Sequence, residues 1–162
     1  MRFTVSSTAL SSRLGILSRV INSKNSIAIL DCFLFEVSNG RLEITASDSE
    51  NVMKTELTLD EMEGEGSFAV NNRTILDAVK ELPEQPLTLD VNMEQMTVKV
   101  IYQNGMYNFT CQNAEEYPRS QQMGDEAATL QISEKALLDN ISRSIFAVAN
   151  EQLRLVMNGL YL

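Results

Sequence analysis

The feature that most restricts the fold of this chain is a pattern that starts three times. Val5-Ser6, Val70-Asn71 and Ile132-Ser133 each place an apolar residue before a helix-capping one. Five residues after each apolar anchor stand Leu10, Ile75 and Leu137, and nine after it Leu14, Val79 and Ile141. Helix-spaced apolar positions returning at a period of roughly 60 residues mark a repeated supersecondary unit. Each unit reads strand, cap, helix, then further strands. One unit is too short to bury a helix on its own sheet, so two units are expected to build one domain. The third start runs out before its last two strands, which leaves the kind of unpaired edge that natural chains avoid. On the sequence alone, the chain reads as a fragment of something longer.

The elements follow from period and punctuation. Arg2 to Ser6 reads as a strand, and Leu10, Leu14, Leu17 and Ile21 form one face of the helix that follows. The opposite side, Ser11, Ser12, Gly15, Ser18, Arg19 and Asn22, is small, polar and free of acid. Ile27 to Val37 and Arg41 to Ser47 read as strands joined at Asn39-Gly40, a strong hairpin signal. Asn51 to Leu59 is a weaker strand, and Glu61 to Gly66 an acidic turn. In the second unit, Ser67 to Val70 is a strand and Arg73 to Leu82 a helix that ends before Pro83 and Pro86. Leu87 to Val91, Gln95 to Tyr102 and Gly105 to Gln112 complete it as strands. Asn113 to Ala127 has neither period and reads as a linker. Beyond it, Thr129 to Ile132 is a predicted strand, Lys135 to Ala147 a helix and Leu153 to Leu162 a strand.

With 162 residues, 44% of them apolar, a proper core is possible without metals or disulfides. The sequence has no membrane-length apolar run and no signal peptide at its start, so a cytoplasmic protein is the expectation. It contains no His, which removes histidine triads, bases and metal sites. Cys32 and Cys111 are far apart and read as buried apolar residues. The net charge is −9, against the usual basic character of nucleic-acid binders. Its distribution is uneven, however. Ser7 to Ile27 holds Arg13, Arg19 and Lys24 and no acid, while the acids gather between Ala28 and Phe68. Such segregation can steer a polyanion to one surface.

Several stretches together resemble one known family. They are MRFTVSSTAL, the strand ILDCFLFEV, the run LEITASDSE, VNNRTILDAVKELPE, AEEYP and RLVMNGLYL. In this order and spacing they resemble the bacterial sliding clamp, the β subunit of DNA polymerase III, along the whole chain. The sequence departs from the family's habit at Ala28, usually Pro, at Ser49, often Leu, and at Leu155 and Val156, where some members carry aromatics. The resemblance implies an α+β clamp fold with two strand-helix-strand-strand-strand units per domain and helices packed on antiparallel sheets. It places a complete first domain at 1–122 and the start of a second at 123–162. It implies a non-catalytic processivity factor without a cofactor or metal. Two chains would join head to tail around duplex DNA, bound without regard to sequence. Polymerase and clamp loader would dock through short clamp-binding peptides, with no membrane partner.

On that resemblance, Lys24 holds a DNA-contacting position, and Arg13, Arg19, Arg73, Lys80 and Arg143 are further candidates for phosphate contact. The competing reading of each is an ordinary solvated surface charge. Tyr107 and Phe109, with Leu82, fall on the family's subunit interface; two aromatics on one strand face are otherwise core. Met157 matches a wall of the partner-peptide pocket, or is a core residue of a strand. Asp48 and Glu50, and the acids of Asp60 to Glu65, could suggest acid–base or metal chemistry, but they lack the order of a calcium loop and read as a solvated face. A chain that keeps the subunit edge but never encircles DNA, a short module that regulates a clamp or its partners, is the competing reading.

Overall fold

A computed structural model describes residues 1–21, 27–48, 50–119, 130–149 and 155–161. The chain forms two compact units, Met1–Ser120 and Gln121–Leu162. In the first, β1 (Arg2–Ser6) leads into helix α1 (Ser7–Leu17), and β2 (Cys32–Ser38), β3 (Arg41–Ser47) and β4 (Val52–Thr58) form a meander. A short β5 (Glu61–Glu63) follows, and the motif begins again with β6 (Gly66–Asn71), α2 (Asn72–Lys80), β7 (Pro86–Asn92), β8 (Thr97–Tyr102) and β9 (Gly105–Asn113). Asn39 and Gly40 both adopt positive φ, 51° and 74°, as the tight β2–β3 hairpin requires.

The nine strands lie in the order β4-β3-β2-β6-β9-β8-β7-β1-β5, with every pairing antiparallel. The two repeats interlock. β6 opens the second repeat yet pairs with β2 of the first, while β1 opens the first yet pairs with β7 of the second. The ends match as well. β9 pairs with β8 over most of its length and gives Cys111–Asn113 to β6. β4 pairs with β3, then the chain passes through Leu59 and Asp60 into β5, which pairs with β1. Thus β4 and β5 together do for the first repeat what β9 does for the second. The expected acidic turn at Glu61 to Gly66 therefore contains a strand, because β1 offers it a free edge.

Both helices bury their apolar faces in one core. Leu10, Leu14 and Leu17 of α1 and Ile75 and Val79 of α2 meet Phe3, Phe33, Phe35 and Phe68 from the strands. Phe35 stacks on Phe68 at 5.0 Å between ring centroids. Each helix starts on the cap that the sequence marks: the Ser6 hydroxyl accepts from the Ala9 N–H and the Asn71 amide oxygen from the Thr74 N–H. α1 ends at Leu17, before Ile21, and a 3-10 turn at Ala28–Asp31 precedes β2 where a continuous strand is predicted. That turn carries Ile29 and Leu30 onto the other face of the sheet. There a second apolar cluster of Ile29, Leu30, Cys32, Leu34 and Ala69 is closed by Ala114 and Tyr117. The predicted linker is thus ordered at its start, through a 3-10 turn at Ala114–Glu116.

The second unit holds α3 (Glu134–Ser144), whose cap Ser133 accepts from the Ala136 N–H. The expected strand at Thr129 to Ile132 is not formed over its described residues, 130–132. In the first unit, an opening strand always pairs with the other repeat's meander, and among the described residues no such meander stands beside residues 130–132. The expected strand at Leu153 to Leu162 shows a 3-10 turn at Leu155–Asn158. This turn lies as far beyond Leu137 as the Ala28–Asp31 turn lies beyond Leu10, so the repeat persists where the strand does not.

Candidate nucleic-acid and subunit interfaces

The candidate cations fall on the solvent side of the helices. Arg13 is exposed on α1, Arg19 on the turn after it, and Arg73 on α2. Lys80 ends α2 and is held by Asp77 at 2.7 Å, which raises its pKa and cancels its charge locally. α1 and α2 pack side by side, so Arg13 and Arg73 come from neighbouring helices. Arg143 is exposed on α3 in the second unit, and Lys24 lies outside the described residues.

An anion already stands at the start of α1. The Glu84 carboxylate accepts from the Ser6 hydroxyl at 2.9 Å and from the Thr8 hydroxyl. It complements the positive end of the helix. No sequence signal links Glu84 to Ser6, because the contact exists only through the β1–β7 pairing.

At the edge of the same core, the rings of Tyr102 and Tyr107 lie 5.3 Å apart and those of Tyr107 and Phe109 6.0 Å apart. With Leu82 they are half-buried against the core rather than inside it. Burial, the Tyr102 phenol and the Glu81 charge push the Tyr107 phenol above its ordinary pKa. Among the described residues no strand pairs with the outer side of Gly105–Thr110. The structure thus brings Tyr107 and Phe109 together at an open edge, while Leu82 packs against the same core.

Met157 sits in the last 3-10 turn and is 52% exposed, and its neighbour Val156 is 91% exposed. Their counterparts in the first unit, Leu30 and Ile29, are covered by Ala114 and Tyr117. The Tyr117 phenol donates to the Cys32 carbonyl at 3.5 Å, and burial pushes it up to about 12.

The carboxylates have structural duties. Asp48 accepts from the Asn51 N–H at 2.7 Å and the Glu50 N–H at 3.1 Å, and the Asn51 bond in particular lowers its pKa. This is a turn, not an acid–base pair. Glu65 accepts from the Asn39 N–H at 2.8 Å, and Glu43 and Glu56 pair with Lys54 and Arg41. Among the described residues no three metal-ligating side chains converge. Burial raises the thiol pKa of both cysteines, Cys32 to about 11, as expected of buried apolar residues. No helix among the described residues is long and apolar enough to cross a membrane.

Comparison with known proteins supplies the context. The profile of the DNA polymerase III beta subunit, N-terminal domain, matches residues 1–121. The β sliding clamp of Pseudomonas aeruginosa is 26% identical over 164 aligned residues, and that of Halalkalibacterium halodurans 24% over 166. The chain is covered to 100% and 98% in these alignments but spans only 44% and 43% of the two relatives. In structure, the P. aeruginosa subunit superposes with a TM-score of 0.90 at 23% identity, over 98% of this chain and 43% of that one. The Helicobacter pylori β clamp bound to a DNA ligase peptide gives 0.85 at 18% identity, over 95% and 42%. The interlocked antiparallel domain with its two helices on one face is therefore the clamp domain, and the family is that of a non-catalytic polymerase subunit. With that match over most of its length, this chain belongs to the DNA polymerase III beta subunit family.

Proposed function

We propose that this chain serves as the opening part of a DNA sliding clamp. In the complete assembly, two full-length chains join head to tail around duplex DNA and tether the replicative polymerase in the cytoplasm. The family match over residues 1–121 carries this reading. The first clamp domain runs to Gln122 and the second begins at Met123. Arg13, Arg19, Lys24 and Arg73, with Arg143 in the second domain and Lys80 more weakly, meet phosphates. A sliding ring needs contacts of this kind, since counterion release attracts any duplex while base readout would stall it. Encirclement supplies retention, so no catalytic group is required.

Tyr107, Phe109 and Leu82 form the edge that meets the other subunit. The open strand and half-buried aromatics support this reading. Met157 contributes to a pocket for clamp-binding peptides of the polymerase and clamp loader. Its exposure supports this, and a DNA ligase peptide occupies the H. pylori relative.

The test is retention on DNA, read beside the intact mass of the native gene product. The expected native mass is more than twice the 18.1 kDa of these residues. Loaded on closed circular DNA, the native product should stay bound through gel filtration and be lost on linearisation. The 162-residue chain alone should be retained on neither. A native product of 18.1 kDa, or retention of the short chain on circles alone, would overturn the proposal.

A further inference from the structure

The sequence contains three Asn-Gly pairs, at 39–40, 104–105 and 158–159. In this dipeptide the backbone can attack its own side chain, because glycine leaves the approach unhindered. Once the glycine nitrogen has given up its proton, it adds to the asparagine side-chain amide carbon. A C–N bond forms and closes a succinimide ring, the bond to the side-chain nitrogen breaks, and ammonia leaves. Water then opens the ring at either carbonyl. Opening at the side-chain carbonyl leaves aspartate in a normal chain. Opening at the main-chain carbonyl leaves isoaspartate, with the side-chain methylene now part of the backbone. Water is the only co-reactant.

Two of the pairs stand at hairpin turns of the first unit, and the fold treats their glycines differently. At β8–β9 the loop is Gln103-Asn104, and Gly105 is the strand residue opposite Tyr102, its N–H committed to closing the turn. The Tyr102 hydroxyl also crowds it, 2.8 Å from the place a Cβ would take. At β2–β3 the loop is Asn39-Gly40 itself, and Arg41 closes the ladder opposite Ser38. Gly40 therefore stands outside the ladder, and no atom lies within 4 Å of the place its Cβ would take. Asn39 is exposed beside it. Amides outside a ladder surrender their protons far more readily than those within one.

The same peptide is clasped at both ends. The Asn39 N–H donates to the Glu65 carboxylate at 2.8 Å, and the Gly40 carbonyl accepts from the Leu59 N–H at 3.0 Å. Leu59 precedes β5 and Glu65 follows it, so the two bonds tie the hairpin to both ends of the segment that carries β5. An extra methylene between these anchors cannot keep both bonds and the tight turn together. The new carboxylate would also join Glu36, Glu43 and Glu56, which line one surface cavity with Asn39.

We propose that Asn39-Gly40 is a site of spontaneous deamidation, selected over Asn104-Gly105 by the fold, and that its isoaspartyl product releases the segment carrying β5.

The test is ageing of the folded 162-residue chain at physiological pH and temperature, beside a sample held in urea. Digestion and electron-transfer fragmentation locate the product at each position, and methyl transfer by an isoaspartyl carboxyl methyltransferase counts it. In the folded chain Asn39 should be lost at least about tenfold faster than Asn104, and in urea, where neither amide is protected, the two rates should converge. Asn39→Gly keeps the positive φ of the turn and removes the side-chain amide, so it should fold and be unmodified there. Hydrogen exchange at the Leu59 N–H should quicken in the parent as isoaspartate accumulates, and should not in equally aged Asn39→Gly. Loss of Asn39 no faster than of Asn104 in the folded chain overturns the proposal. So does an equal lead in urea, because neighbouring residues rather than the fold would then set it. A Leu59 amide that stays protected in the modified molecules overturns the release.

Discussion

Replacing Ser7 by Ala tests whether the two repeats are locked together as the structure describes. Ser7 has no exposed surface. Its N–H donates to the Gln85 carbonyl at 2.9 Å, a bond that Ala keeps. Its hydroxyl donates to the Pro83 carbonyl at 2.8 Å and accepts from the Gln85 N–H at 3.0 Å. These bonds fasten the start of α1 to the segment that leaves α2. The Pro83 carbonyl keeps a weak donor in the Gln85 side chain at 3.4 Å, so its loss is small. The buried Gln85 N–H is left without a partner, which costs about 1–3 kcal/mol, and the net value of the other bond adds about 1 kcal/mol. The expected loss is about 2–4 kcal/mol, far above a typical surface substitution. Urea unfolding followed by circular dichroism should show a lower midpoint at unchanged slope. In a domain of this size, Tm should fall by about 8–16 °C. Ser6→Ala, which removes a helix cap, should cost about 1 kcal/mol and so rank below it. A Ser7→Ala loss under about 0.5 kcal/mol, or no larger than that of Ser6→Ala, would mean that the repeats are not fastened at this point.

Tyr117 predicts an alkaline effect. Its phenol is held neutral up to about 12, against an ordinary 10, so between those values the folded chain keeps a proton that the unfolded chain has lost. The stabilisation is whole below pH 10 and is lost as pH rises toward 12; Tyr117→Phe should flatten that fall by up to about 2–3 kcal/mol in urea titrations across the range. The Thr45 hydroxyl is a buried side-chain oxygen without a partner among the described residues, so Thr45→Val should hold or raise Tm, and a clear drop would reveal a bond there. Gly40 has φ of +74°, and a methyl group added there would meet no atom within 4 Å. Gly40→Ala should therefore cost about 1 kcal/mol in the same assay through backbone strain alone.

Much of the first unit was legible in its sequence because its signals are local. Ser6, Asn71 and Ser133 all cap the helices they precede, and Asn39-Gly40 makes its hairpin. The helix-spaced leucines and isoleucines of the first two repeats are the core. What escaped depends on contacts far along the chain. β5 forms only because β1 needs a neighbour, and Tyr117 is buried only because Leu30 and Cys32 lie beneath it. A polar composition made residues from Asn113 onward read as linker, although Ala114 and Tyr117 close the second cluster. The predicted strand around Leu155 missed the 3-10 turn for the reason that one was missed at Ala28: apolar content does not separate a turn that tucks under a sheet from a strand within it. For the candidate interfaces, the exposure of Arg13, Arg19 and Arg73 follows from helix period. The neutralisation of Lys80 was readable too, since Asp77 stands three residues before it. Glu84 at the start of α1 was not, because no local rule joins it to Ser6 or Thr8.

The crossing of the opening strands has a consequence for synthesis. Ribosomes release a chain from its N-terminal side, so Phe3 and Val5 emerge well before Pro86–Asn92, and until that strand is made β1 can pair only with the three-residue β5. Until then Val5, which pairs with Leu87, lacks its strand neighbour. Contacts of such long sequence separation also make folding slow. β1 is thus fully secured long after its own synthesis, and the nascent chain carries an adhesive segment through that interval, when chaperone engagement matters most.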